Sequence, residues 1–155
     1  MTYQVSTFNV NWVAVPRKVN REQIAALEKE LIRLEDGEVC TIKHHFAKGL
    51  YAREMFMPKD STLTGMVHRC ESIVIVVGDL ETVINGEVVR LTGHNTFVSK
   101  VGEKRAMYSY EDSWVTGIFA TDETDVVKLE NELVEDADNL QYRRLRRKEL
   151  ETSCS

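Results

Sequence analysis

Between residues 38 and 120, short β-type runs recur at roughly ten-residue spacing, separated by turn residues. A run at 50–57 is followed by the turn Pro58-Lys59-Asp60-Ser61, and another covers 62–68. The continuous apolar run Ile73-Val74-Ile75-Val76-Val77 reads as a buried strand closed by Gly78-Asp79. Residues 80–84 lead into Asn85-Gly86, a pair that tolerates positive φ at both positions and so marks a tight hairpin. Residues 87–91 return. Gly93, a run at 96–99, a turn at Gly102, and runs at 105–110 and 114–120 complete the series. No helical period interrupts this zone, which argues against parallel βαβ units and for an antiparallel sandwich or barrel.

The flanks carry a different pattern. Residues 1–19 form an extended arm whose large groups are Phe8, Val10, Trp12 and Val15, closed by Pro16. Such an arm must bury its apolar groups, either across its own domain or against a neighbouring subunit. Residues 20–37 predict a helix and its stop. Asn20 and Gln23 have capping-box spacing, Ile24, Leu27, Leu31 and Leu34 share one face, and Gly37 ends it. Residues 121–155 predict a helical extension, with Thr121 or Thr124 as cap and Val126, Leu129, Leu133 and Val134 as its stripe. Acidic residues crowd 122–138, and Arg143, Arg144, Arg146, Arg147 and Lys148 follow, an arrangement that invites pairing between the blocks.

Composition narrows the class. The chain has 155 residues, 43% hydrophobic and 29% charged, which suits one globular domain. Its net charge of −5 disfavours general binding to nucleic acid or anionic membrane. No apolar run reaches the ~20 residues of a membrane span. No basic-then-apolar leader opens the sequence, so secretion is not expected. Three scattered cysteines, Cys40, Cys70 and Cys154, suggest a reducing compartment.

In its order of motifs the strand zone resembles a cupin, a mainly β, double-stranded β-helix built as a small barrel or jelly roll. The segment from Gly65 through His68 and Cys70 to Gly78 is similar to the first cupin motif, and Gly93, Val101-Gly102 and Arg105 are similar to the second. Closer still is a likeness to small cupin-like proteins of tailed bacteriophages. It runs through Tyr51-Ala52-Arg53-Glu54, Leu63-Thr64-Gly65, His68, Ser99 to Arg105, Tyr108 to Asp112 and Thr121 to Asp125. The resemblance implies a barrel at 38–120 flanked by an N-terminal helix and C-terminal helices. It also implies self-association, in host cytoplasm or virion, with a phage virion or host protein as a possible partner.

Metal cupins present three histidines and one acid inward on adjacent strands. Here His68 matches the first ligand, Cys70 stands at the second, Val74 and Ile75 occupy the acid's place, and Arg105 replaces the last histidine. A guanidinium within ~5 Å of a cation costs several kcal/mol in a partly dry barrel. No metal and no other cofactor is therefore expected. The mouth is expected instead to bind a carboxylate, phosphate or sugar through His68 and Arg105, with Tyr51, Arg53, Tyr108 and Trp114 nearby. The opposing expectation is a satisfied interior in which Arg105 pairs with an acid such as Glu71 or Glu54. Adjacent His44 and His45 should point to opposite faces of a strand.

Three functions follow. The favoured one is a non-catalytic, oligomeric binding or structural accessory module with a degenerate metal site. The second is a metal-independent isomerase or epimerase pairing His68 with Tyr108 or Tyr110. The third is a nucleic-acid accessory role through the basic cluster at 143–148.

Overall fold

A computed structural model describes residues 18–34 and 40–137. The arm before Lys18, the predicted stop at Gly37 and the basic cluster at 143–148 lie outside the described residues.

Helix α1 spans Arg21–Leu34. Its capping box forms reciprocally: Gln23 N–H donates to Asn20 Oδ1 at 2.8 Å, and Asn20 N–H donates to Gln23 Oε1 at 2.9 Å. Ile24 is buried, 2% exposed. Lys104 Nζ meets Glu28 Oε2 at 2.8 Å where both side chains are largely covered, fixing α1 to the barrel.

Seven strands follow: β1 Thr41–Ala47, β2 Leu50–Met57, β3 Thr62–Thr64, β4 Ser72–Ile84, β5 Glu87–Ser99, β6 Ala106–Ser109 and β7 Ser113–Ala120. All pairings are antiparallel, in the order β1-β2-β7-β4-β6-β3 with β5 on the other edge of β4. The result is a curled antiparallel sheet with helices at both ends, the mainly β small-barrel architecture that the sequence predicts.

β4 organises the curl. It pairs β5 along its whole length, yet its opposite edge is shared, with β7 along Ile73–Val77 and with β6 along Leu80–Thr82. The strand does not end at Gly78, as the sequence suggests, but passes through it. Gly78 adopts φ 139°, a conformation that a Cβ disfavours, and the bend there turns the two halves of β4 toward different neighbours. The corner between β6 and β7 wraps this bend. Tyr110 N–H donates to Asp79 O at 2.8 Å, and Asp79 N–H donates to Ser113 Oγ at 3.1 Å. The β4–β5 turn uses Asn85 at φ 51° and Gly86 at φ 78°, the tight hairpin expected of this pair.

The core lies inside the curl. Leu80 and Leu91 face each other across β4 and β5, both fully buried, each contributing about 2 kcal/mol by burial. Met57, Val74, Val76, Ile84, Phe97, Met107 and Val115 complete this cluster. The run 73–77 is not buried on both sides: Val74 and Val76 face inward, while Ile73 and Val77 are exposed on the outer face. The predicted strand at 62–68 is shortened to Thr62–Thr64, and residues beyond it lead as a loop to His68.

Helix α2 spans Val126–Leu133. Its cap is Asp125 rather than Thr121 or Thr124, with Asp125 Oδ1 accepting from Lys128 N–H at 3.0 Å. Leu129 and Leu133, with Val134, pack on Tyr51, Met66 and Phe119, so this helix covers one end of the barrel. Among the described residues, no helix is long and apolar enough to cross a membrane.

Candidate functional site

Period two along the strands decides which side chains enter the barrel. On β2, Tyr51 and Arg53 share the inward face with Met57. On β7, Val115, Gly117 and Phe119 do so. Arg53 sits opposite Gly117, which in turn sits opposite Val74 on β4. Gly117 leaves room in this row, and a Cβ there would meet the Phe119 ring at 3.0 Å.

His68 reaches the same end from the loop after β3. Four backbone contacts hold that loop: Gly65 N–H donates to Arg105 O at 2.8 Å, Arg69 N–H to Leu133 O at 2.8 Å, Glu135 N–H to Val67 O at 3.0 Å, and Gly102 N–H to His68 O at 3.0 Å. The imidazole lies 4.9 Å from the Phe119 ring, centroid to centroid. Its pKa is pushed down to about 4, first by burial, then by the Arg53 and Arg105 guanidiniums; a hydrogen bond to the Leu133 backbone opposes the shift. The ring is therefore neutral at pH 7. Nδ1 is buried with no hydrogen-bond partner.

Arg105 precedes β6 and turns inward, in step with Met107 and Ser109. Its Nη2 donates to Ser99 Oγ at 3.0 Å and pairs with Glu103, while its Cζ stands 4.9 Å above the Phe97 ring. Arg105 is 8% exposed, and its Nε–H has no hydrogen-bond partner. The acid that pairs with Arg105 is thus Glu103, two residues away, rather than Glu71 or Glu54.

Of the six predicted lining residues, Tyr51 and His68 meet at the Phe119 ring, Arg53 shares the inward face of β2 with Tyr51, and Arg53 and Arg105 both act electrostatically on His68. Tyr51 stacks on Phe119 at 5.9 Å, and Phe119 contacts His68. Tyr51 also shares a 2.8 Å hydrogen bond with His44 Nδ1.

Tyr108 and Trp114 do not join them. Tyr108 alternates with the inward Met107 and Ser109 on β6, so it faces out, where its hydroxyl donates to Asp60 Oδ1 at 2.9 Å. Trp114 alternates with the inward Ser113 and Val115, stands 42% exposed, and packs 5.2 Å from Phe56 on the outer face. Tyr110 meets Tyr108 edge to face, 4.9 Å between ring centroids, and lies under the Arg90 guanidinium. The proposed pairing of His68 with Tyr108 or Tyr110 is therefore not formed. The His44-His45 split holds: His44 meets Tyr51, and His45 meets Glu54 at 3.3 Å on the outer side.

The donor set does not fit a metal ion. His68 is one imidazole acted on by two guanidiniums, and buried Val74 offers no lone pair. Burial, followed by Glu132, pushes the Cys70 thiol up, away from thiolate. Among the described residues, no group of three His, Cys, Asp or Glu side chains is placed to hold a metal.

Sequence reasoning missed Phe97, Phe119 and Glu103. The alternation Ser113, Val115, Gly117, Phe119 would have placed Phe119 inward, whereas Glu103 carries no periodic signal because it lies in a turn.

No protein-family profile matches the chain, and no curated protein matches it. Solved structures do. Salicylate 1,2-dioxygenase from Pseudaminobacter salicylatoxidans superposes with a TM-score of 0.51 at 12% identity, covering 74% of this chain and 36% of that one. This chain therefore spans about a third of the dioxygenase's length. The Cupin_2 domain of an XRE family transcriptional regulator from Enterobacter cloacae gives a TM-score of 0.45 at 16% identity, covering 54% and 99%. KdgF from Halomonas sp. gives 0.47 at 20% identity, covering 77% and 97%. At these identities the likeness shows the fold alone, a cupin-type barrel of curled antiparallel strands.

Proposed function

We propose that this cupin-fold chain is a non-catalytic binding module whose barrel end takes a small polar anion between Arg105, Arg53 and His68. One observation carries the reading. His68 Nδ1 and Arg105 Nε are both buried, neither has a hydrogen-bond partner, and the Arg53 and Arg105 charges both act on the His68 ring. A buried polar atom left unpaired costs about 1–3 kcal/mol, so two at one end of a barrel call for a partner from outside the chain. The aromatic walls of Phe119 and Phe97 suit the carbon part of such a ligand.

The wider setting belongs to the same proposal. The ordered likeness to small proteins of tailed bacteriophages supports a self-associating accessory role in host cytoplasm or virion, with a virion or host protein as a possible partner. Light scattering of the chain without residues 1–19 tests the arm's part in assembly: a smaller mass than that of the full chain is expected.

A thermal-shift screen of carboxylates, phosphates and sugars tests the binding reading on the intact chain, alongside His68→Ala and Arg105→Lys. Arg105→Lys keeps the positive charge but removes the Nε–H. Carboxylates are expected to stabilise the unaltered chain and to lose that effect in both variants. Ligand responses identical in all three proteins would end the reading.

A further inference from the structure

We infer that the N-terminal arm is a further strand of this sheet: residues 8–17 pair antiparallel along the open edge of β5 in the same chain. This placement is independent of the anion site. β5 has thirteen residues and pairs β4 along its whole length, and among the described residues no strand pairs its other edge. An open edge of that length is a template for another strand and calls for a cover.

The chain already stands on that edge where the described residues begin. Lys18 forms an antiparallel bridge with Glu87, and Val19 N–H donates to Gly86 O at 2.8 Å. This bond flanks the Lys18–Glu87 pair, which is therefore a non-hydrogen-bonded pair. The β4–β5 turn agrees. A two-residue turn closes on a hydrogen-bonded pair, here Ile84 and Glu87, so Val88, Arg90 and Thr92 turn their N–H groups away from β4. Continued toward the N-terminus, the register sets Arg17 on Val88, Val15 on Arg90 and Val13 on Thr92 as hydrogen-bonded pairs. Pro16 falls opposite Val89, where a backbone N–H would point away from β5, so its missing donor costs no ladder bond.

Parity is an independent check. On β5 the odd positions Leu91, Asn95, Phe97 and Ser99 are buried. The register sets them opposite even positions of the arm, and those are Phe8, Val10, Trp12 and Ala14, whereas Asn9 and Asn11 face out. A slip of one residue would reverse the arrangement. The same chain supplies the strand because Lys18 is already seated, so the next pair closes without a loop.

Amide hydrogen exchange of the full chain tests the placement. The N–H groups of Val88, Arg90 and Thr92 are expected to be protected. Ala14→Asp sets a carboxylate on the side of Leu91 and is expected to speed their exchange about tenfold, whereas Val15→Asp, on the outer side, leaves it unchanged. Exchange of these three amides at the rate of an exposed loop in the unaltered chain would overturn the placement, and equal effects of the two variants would overturn the register. Oxidation of a chain carrying both Val13→Cys and Thr92→Cys identifies the occupant, since the ~5.5 Å between Cα atoms of a hydrogen-bonded pair suits a disulfide. A link within one chain is expected, absent from either single variant. A link joining two chains would mean that the edge takes a second copy's arm, which ends the same-chain placement. An Ala14→Asp chain that does not fold leaves the exchange of the unaltered chain and the cross-link to decide.

Discussion

A Cβ built on Gly78 would lie 2.7 Å from the Cβ of Ser113, because the bend of β4 and the start of β7 pass in direct contact. Ser113 is fully buried and donates through Oγ to Glu111 O at 2.7 Å, so it cannot move aside. Gly78→Ala is expected to cost about 3 kcal/mol in urea denaturation, from overpacking together with the wrong φ. Gly93 supplies the control. It has φ 72° with nothing within 4 Å, so Gly93→Ala should cost about 1 kcal/mol, the conformational part alone. Equal losses in the two variants would show that the close approach does not matter.

The Arg105–Glu103 pair sits where both side chains are mostly covered, 10% and 17% exposed. Arg105→Met leaves the Glu103 carboxylate without its cation and is expected to cost about 3 kcal/mol. Glu103 also accepts from Asn85 N–H at 3.1 Å and Lys100 N–H at 3.3 Å, contacts that a glutamine retains in part. Arg105→Met combined with Glu103→Gln should therefore recover most of the loss. A double-mutant cycle by denaturant titration reads this directly, and additive effects would refute the coupling.

His68 sets an acid limit. Unfolded, its ring takes a proton near pH 6.5; folded, it resists until about pH 4. Below the unfolded value the unfolded state binds the proton first. Stability that is complete above pH 6.5 is thus lost as pH falls toward 4, about 3 kcal/mol in all, with no further loss from this group below that. The stability of wild type relative to His68→Gln should fall by about 3 kcal/mol as pH drops across this window. Parallel curves would mean that His68 titrates normally.

Asp125 caps the N-terminus of the eight-residue helix that packs over the candidate site. Asp125→Ala is expected to lower stability by about 1 kcal/mol and to speed amide hydrogen exchange at Lys128, whose N–H it binds. Unchanged exchange at that amide would show that the helix start is held by other contacts.

Local chemistry made several features readable from the sequence. The Asn20–Gln23 box and the Asn85-Gly86 turn are set by neighbours in the chain, and both form. Tyr51, Arg53, His68 and Arg105 were all legible through the order of motifs, and the structure adds Phe97, Phe119 and Glu103 beside them. What failed was parity. Ile73 to Val77 is apolar on both faces, so the run hides the fact that Ile73 and Val77 are exposed. Tyr108 and Trp114 each lie one position away from inward residues, and a one-residue error moves a side chain to the opposite face of a sheet. Gly78 looked like a strand end because glycine breaks strands and also bends them; only the contact with Ser113 distinguishes the two. The fold was therefore easier to read than the site, since a fold tolerates an error of one position and a cluster of side chains does not.

The long β4–β5 ribbon also bears on how the chain finds its native state. Its two strands are thirteen residues each and joined by two residues, so the first loop to close is a very short one. β7 returns to β4 only after the ribbon and β6 have been made, at a far greater separation along the chain. The ribbon thus offers an early template onto which later strands zip, a polarised nucleus set by turn chemistry. Gly86→Ala should accordingly slow the refolding arm of a chevron plot, while substitutions in β1, at the far edge of the sheet, should act on the unfolding arm.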